Sequence, residues 1–237
     1  MESCCINMVE TYFALARSAT GYCRFEDDGV LGCRSESSHP AANFSVVVRP
    51  NVPAITRLAQ QGPQTVYVIP TDQTGSVVEM MRAAGFTTGS SLSLMFVRNP
   101  EGGVDLDLET VSGFSDRYDH TMFLASQFFA TAGGSFREEI SSMTAFAERC
   151  ELLRLNGKLG TVAGAMMCQS GTNLGLYNIT VTPDSRHNGL GSDLVRSLVG
   201  IAGSRKCTAT LQCHDSLVPW YERLGFRKYG EVVMMRK

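Results

Sequence analysis

The sequence carries no strong excess of charge and no long apolar run. Lysine and arginine together number 21 against 23 aspartates and glutamates, a formal net charge of −2. Composition therefore supplies no general attraction to nucleic acid or to an anionic membrane, and any basic site has to be local. No stretch approaches the roughly 18 consecutive apolar residues that a membrane-spanning helix requires. The N-terminus lacks the features of a secretory leader, because Glu2 stands where positive charge is wanted and Glu10 interrupts the apolar stretch. The eight cysteines, at 4, 5, 23, 33, 150, 168, 207 and 213, form no C-x-x-C unit. Reduced thiols are expected rather than a disulfide framework or a metal cluster. Neither the dinucleotide fingerprint G-x-G-x-x-G nor a P-loop G-K-[ST] is present. A cytoplasmic protein with no metal, no membrane and no nucleic-acid partner is the expectation.

What is there is a chain of 237 residues, 43% apolar and 19% charged, long enough for one large domain or two small ones. Helical and strand patterns interleave throughout. "INMVETYFALARSA" has helical spacing, and two short strands flank the Asp28-Gly29 turn. "SVVVR", "TVYVIP" and "SLSLMFVR" read as strands, with helices at "VPAITRLAQQG" and "GSVVEMMRAAG" between them. "NPEGG", residues 99–103, is the best linker candidate. Beyond it come an alternating strand "VDLDLETV", two helical stretches, and the strands "ELLRLNG", "TVAGAMMCQ" and "LGLYNITV". The helix "SDLVRSLVGIAGSR", the strand "TATLQC", the helix "SLVPWYERLG" and a final strand "EVVMMRK" follow. The expected class is α/β or α+β, a mostly antiparallel meander feeding one parallel crossover.

A faint repeat joins the two ends. "MRAAGFTTGSSLSLMFVR" and "YERLGFRKYGEVVMMRK" both read as a helix, the pair Gly-Phe, and a strand rich in methionine and valine. They suggest two copies of one supersecondary plan.

The most specific stretch is "NITVTPDSRHNGLGSDLVRSL", residues 178–198. Gly189 and Gly191 let the backbone come close to a bulky ligand, and the helix opening there presents unpaired N–H groups and the positive end of its dipole. Such an arrangement suits a phosphate, and the Arg186 guanidinium can fork onto its oxygens. This pattern, an apolar strand, a proline and R-x-x-G-x-G opening a helix, resembles the acyl-CoA pyrophosphate loop of the GCN5-related N-acetyltransferases (GNAT). "WYERLGFRKYGE", residues 220–231, is similar to that family's closing Y-x-x-L-G-F segment.

The resemblance implies a GNAT-like, mixed and mostly antiparallel central sheet flanked by helices. Residues 104–237 would form the acyl-CoA-binding catalytic domain, and residues 1–100 a smaller, degenerate GNAT-like half. It implies acetyl-CoA as cosubstrate and a small-molecule or exposed amine as acceptor, with the protein acting as monomer or homodimer. Carried over residue by residue, backbone groups of Ile179, Thr180 and Val181 would hold the pantetheine arm. His187, Asn188, Gly189, Leu190, Gly191 and Ser192 would hold the pyrophosphate beside Arg186. Tyr221 would be the general acid to the CoA thiolate.

The sequence departs from the family in three places. The strand before the loop carries no carboxylate, leaving water, Tyr177, His214 or no base at all. Asp215 stands near where relatives have a CoA-contacting Asn or Ser. In the first half, "AITRLAQQG" has no paired glycines, and Met81 occupies the place of Tyr221. A buried thiol is expected for Cys213, and a half-exposed helical histidine for His120. The competing function is a non-catalytic acyl-CoA-binding or sensor module, against which the retained Tyr221 argues.

Overall fold

A computed structural model describes residues 3–62 and 64–237, so Glu2 lies outside the described residues. The first part of the chain forms α1 (Ser3–Ala16), β1 (Cys23–Asp27), β2 (Val30–Arg34), β3 (Phe44–Val47), α2 (Val52–Ala59), β4 (Thr65–Val68), α3 (Thr74–Ala83) and β5 (Thr87–Val97). The second forms β6 (Glu109–Val111), α4 (Phe114–Phe128), α5 (Gly134–Phe146), β7 (Cys150–Gly157), β8 (Gly160–Ser170) and β9 (Asn173–Val181). It ends with α6 (Leu190–Ser204), β10 (Thr208–Cys213), α7 (Val218–Arg223) and β11 (Arg227–Arg236). The class is the one expected: a mixed, mostly antiparallel sheet flanked by helices.

All the strands belong to one 11-stranded sheet in the order β1-β2-β3-β4-β11-β5-β10-β9-β8-β7-β6. Its centre is made by the two segments of the repeat. β5, from the first half, lies between β11 and β10, and β11, from the second half, lies between β4 and β5. Each half has lodged its closing strand in the other. The β5–β11 register is symmetric: Arg227 pairs with Phe96, Arg236 with Thr87, and Val232 faces Leu92 in the middle. The register shifts are symmetric too, one beside Tyr229 on β11 and one beside Gly89 on β5.

The helix ends before these strands also match. Phe86 N–H donates to Met81 O at 3.0 Å and Phe226 N–H to Tyr221 O at 3.1 Å. Gly85 and Gly225 adopt φ of 91° and 92°. Both are left-handed helix stops for which glycine has no Cβ penalty.

Two parallel pairs are present, β3 with β4 and β9 with β10, where the sequence suggested one crossover. The strand expected across "VDLDLETV" shrinks to Glu109–Val111, because β7 pairs only with those three residues. Leu106 and Leu108 instead pack on the core cluster that includes α6, so the alternation marks an extended chain rather than a paired strand.

Alternate residues bury on opposite faces. Met95, Leu153 and Met167 join α6 and α7 on one face, where Val47, Val68 and Met235 meet α2 and α3. Leu94, Val46 and Val232 meet α1 on the other, where Leu152 and Met166 meet Leu124 of α4. α1 is fixed to the second half by Asn7, whose Nδ2 donates to Cys168 O at 2.8 Å and whose Oδ1 accepts from the Tyr177 hydroxyl at 2.7 Å. A Cβ on Gly175 would come within 2.1 Å of Asn7 Oδ1, so this docking needs glycine beneath it.

The "NPEGG" segment crosses α6 at close range. A Cβ on Gly203 would lie 2.4 Å from Pro100 O, and one on Gly200 would lie 3.1 Å from Gly103 Cα. Gly203→Val should destabilise the fold by about 1–3 kcal/mol, since the clash is with backbone that cannot rotate away. Urea denaturation reads the effect as a lower midpoint with unchanged slope. An unchanged midpoint would show that the segment is loosely attached.

Candidate active site

The site begins where β9 leaves β10. β9 pairs with β8 as far as Val181, but with β10 only through Asn173, Leu174 and Gly175. β10 runs on to Cys213 paired with β5. From Leu176 onward the edge of β9 that faces β10 has no strand partner. The cause is a bulge: Tyr177 pairs with Met166 and Thr180 with Gly164, so Asn178 and Ile179 together face a single residue. Asn178 sits at φ 50°, the left-handed region that asparagine tolerates better than most residues. Bulges bend a strand and increase its twist. In the first half the corresponding pair stays closed: β3 and β4 are paired along their length, and Ile69 N–H reaches Val47 O at 3.4 Å.

The free edge ends at the glycine loop. Thr182 N–H donates to Val162 O at 2.9 Å, and after one 3-10 turn at Pro183–Ser185 the chain turns back through His187 at φ 66° and Gly189 at φ 83°. Gly189 is the N-cap of α6 and supplies no side-chain cap. The groups that open the helix therefore depend on backbone, water or a ligand. Gly191 is different: its φ is ordinary, and a Cβ there would meet only Val181 and Trp220 at 3.8 and 3.9 Å. Nothing inside the protein requires glycine at 191. Arg186 is exposed and spends Nε on Val181 O at 3.0 Å, which holds its guanidinium at the end of β9.

Tyr221 is 6% exposed in the core cluster with Cys213 and Phe226. Its ring lies edge-on to Trp220 and Phe226, with centroids 4.6 and 5.5 Å away. Burial, and then the Cys213 thiol, push its phenol well above the usual tyrosine value, so it stays protonated at neutral pH.

Several neighbours are structural. Burial raises Cys213 to about 11, far from a reactive thiolate. The Tyr177 hydroxyl is committed to Asn7, and the His214 ring accepts from Ser216 N–H as the cap of the turn before α7. Asp215 accepts from the Ser93 hydroxyl of the exchanged strand β5 and pairs with Lys228 at 3.4 Å.

His120 corrects an expectation. It is 3% exposed rather than half-exposed, with Nε2 2.9 Å from Leu153 O and Nδ1 buried without a partner. Burial holds it at about 4, mostly neutral. It fits because residue 164, paired with Thr180, is glycine: a Cβ there would lie 2.5 Å from the ring. α4 and α5 also frame a narrow crevice of about 10 Å³ that reaches Asn178 and is lined by Thr121, Leu124, Phe128 and Ser141. Arg117 fixes these two helices by donating to the carbonyls of Thr144, Ala145, Ala147 and Cys150.

Residues 146–228 match the sequence profile of the acetyltransferase (GNAT) domain. The matched segment, from the end of α5 to the start of β11, is thus similar to the GNAT domain. Among curated proteins, none matches the sequence. The fold of the whole chain is similar to that of a GCN5-related N-acetyltransferase from Kribbella flavida, at TM-score 0.69 and 14% identity over 99% of this chain and 95% of that one. It is also similar to a GCN5-related N-acetyltransferase from Sphaerobacter thermophilus, at 0.59 and 12% over 88% and 80%. A tandem GNAT protein from the clavulanic acid biosynthesis pathway matches at 0.57 and 12% over 96% and 92%.

Within the matched segment, Ile179, Thr180 and Val181 lie on the unpaired edge, and Arg186 to Ser192 form the loop at its end. Tyr221 lies on α7 against the same core. Sequence reasoning missed Trp220, whose indole edge approaches Gly191, and the bulge at Asn178. An ordinary Asn-Ile pair gives no signal for a bulge.

Neutral, buried His120 makes stability sensitive to acid. Its folded value lies below the ordinary 6.5, so its contribution is complete above about pH 6.5 and is lost as pH falls toward about 4, on the order of 3 kcal/mol. His120→Gln should flatten the stability profile over that window, and identical slopes for both proteins would contradict this account.

Proposed function

We propose that the protein is an acyl-CoA-dependent N-acyltransferase that moves the acetyl group of acetyl-CoA to a small-molecule or exposed amine. The observation that carries the reading is the parting of β9 from β10 over a glycine turn at the start of α6. That parting supplies a row of free backbone groups leading to an anion-binding helix start.

In this reading, the edge at Ile179, Thr180 and Val181 bonds the amide-rich pantetheine arm. The backbone of His187, Asn188, Gly189, Leu190, Gly191 and Ser192, with Arg186, holds the pyrophosphate. The fit is sterically open, since the space over Gly191 is free of protein atoms closer than 3.8 Å to a Cβ position. The neutral amine forms the new C–N bond at the thioester carbon, and a β9 N–H bears the charge that builds on the carbonyl oxygen. The C–S bond breaks, Tyr221 gives its proton to the departing sulfur, and the proton shed by the amine returns through solvent to the phenolate. No covalent enzyme intermediate is required. The crevice between α4 and α5 approaches Asn178 from the opposite face of the sheet to α6 and α7, and this is the side assigned to the acceptor. The division into residues 1–100 and 104–237 is retained as a proposal about descent, with the closed β3–β4 pair explaining why only the second half takes the cosubstrate.

Calorimetric titration with acetyl-CoA should give saturable binding that Gly191→Glu abolishes, because the carboxylate enters the space meant for phosphate. No binding to folded wild type would remove the reading. Tyr221→Phe should retain acetyl-CoA binding and lower kcat by about 10²–10⁴-fold. The raised phenol also predicts a rate that climbs with amine deprotonation and shows no falling limb up to about pH 10. Binding without turnover on any amine would favour the sensor module.

A further inference from the structure

Two of the cysteines stand face to face in the second half of the sheet. In the β7–β8 ladder Cys150 pairs directly with Cys168, and among the described strands no other two cysteines are opposite one another. Both side chains enter the cluster that holds Leu124, Leu152, Met166 and Tyr177, at 0% and 1% exposure. Both are free thiols. Directly opposite residues of an antiparallel pair have Cα atoms about 4.5–5.5 Å apart, inside the range of about 4.4–6.8 Å that disulfides span. Their Cβ atoms, also about 4.5–5.5 Å apart, lie at or just beyond the disulfide range of about 3.5–4.5 Å. A bond there draws the strands together, and such strain makes a disulfide easy to reduce.

The surroundings hold both partners in place. Asn7 Nδ2 of α1 donates to Cys168 O at 2.8 Å, and Arg117 of α4 donates to Cys150 O at 3.0 Å. Cys150 N–H meets Ala147 O at 2.8 Å. The two thiols also differ in reactivity. The Cys150 thiol donates to the Cys168 sulfur and holds Cys168 below the ordinary thiol value, against the opposing effect of burial. The same contact, and then burial, raise Cys150. Cys168 is therefore the nucleophile of the two, with a resolving thiol already beside it. Exposed Cys23 has Arg34 opposite it instead.

We propose that Cys150 and Cys168 form a reversible oxidation site, closed to a cross-strand disulfide by hydrogen peroxide. The Cys168 sulfur attacks the peroxide, so that an S–O bond forms and the O–O bond breaks. The departing hydroxide takes the Cys168 proton and becomes water, leaving a sulfenic acid. The Cys150 sulfur then attacks the Cys168 sulfur. The S–S bond forms, the S–O bond breaks, and the second hydroxide leaves with the Cys150 proton as water. Two thiols are oxidised and one peroxide is reduced. Only this small oxidant has to enter the core, because the second thiol is in place. A dithiol restores the pair by exchange. The closed bond joins the two backbone points to which α1 and α4 are tied.

The test treats the folded full chain with hydrogen peroxide, alkylates the remaining thiols in denaturant, and reads intact mass and a peptide map. A loss of two hydrogens, a crosslink between the peptides that carry Cys150 and Cys168, and return to the starting mass with dithiothreitol are expected. Cys23→Ser, at an exposed strand position, should leave the crosslink in place. Cys150→Ala should abolish it and let Cys168 accumulate oxygen instead. Should that variant fail to fold, the maps of wild type and Cys23→Ser still decide. Oxidation confined to Cys23, oxygen added at Cys150 or Cys168 of wild type without a crosslink, or a crosslink formed only after the chain is unfolded would overturn the proposal.

Discussion

The fold hangs on the antiparallel pairing of β5 with β11. These strands belong to opposite ends of the chain, yet Val232 faces Leu92 at the centre of an 11-stranded sheet. Through that ladder β10 gains β5 and β4 gains β11. Without the exchange, β4 and β10 would each present an open edge, an invitation to unwanted pairing. The cost is topological: contacts that close the sheet join residues far apart in sequence, and such contacts form late and slowly. Neither half owns a complete sheet, so the stability of the notch in the second half depends on a strand from the first.

The same plan has been opened in one half and closed in the other. β3 and β4 stay paired to their ends, while β9 and β10 part after three residues. The difference reduces to few groups: a bulge at Asn178, glycines at 189 and 191, and a phenol at 221 where the first half buries Met81. Sheet, helix stops and closing strands are common property. Fold and chemistry therefore separate cleanly along the chain.

Much of this was legible in the sequence, for identifiable reasons. Period-two and period-3.6 patterns placed most elements, and Gly-Phe after a helix marked both closing strands, because a left-handed helix stop leaves little choice of residue. R-x-x-G-x-G was legible as a strand-to-helix turn because glycine alone enters the left-handed region without penalty, and Gly189 does so at φ 83° as the cap of α6. The exchange was not, since periodicity reports which face of a strand is buried and says nothing about its neighbour. The unpaired run of "VDLDLETV", the burial of His120 over Gly164, and the ties made by Asn7 and Arg117 all depend on partners more than 20 residues away.

The notch is held in a conformation that isolated chain would avoid. Asn178 and His187, both non-glycine residues at positive φ, bracket the segment from Ile179 to Arg186, and each such residue costs on the order of 1–3 kcal/mol. The surroundings enforce it from both ends. β8 grips β9 through Val181, Arg186 ties back to Val181 O, and α6 is clamped by backbone contact between Gly200, Gly203 and the Pro100–Gly103 segment. Under the proposed reading, a loop set this way would give up little further freedom on meeting an anion, which is the physical content of preorganisation. The strain is local, but its support runs through α6 to the segment that carries β5 across into the second half. The segment that leaves the central ladder after β5 therefore also braces the helix on which the loop opens.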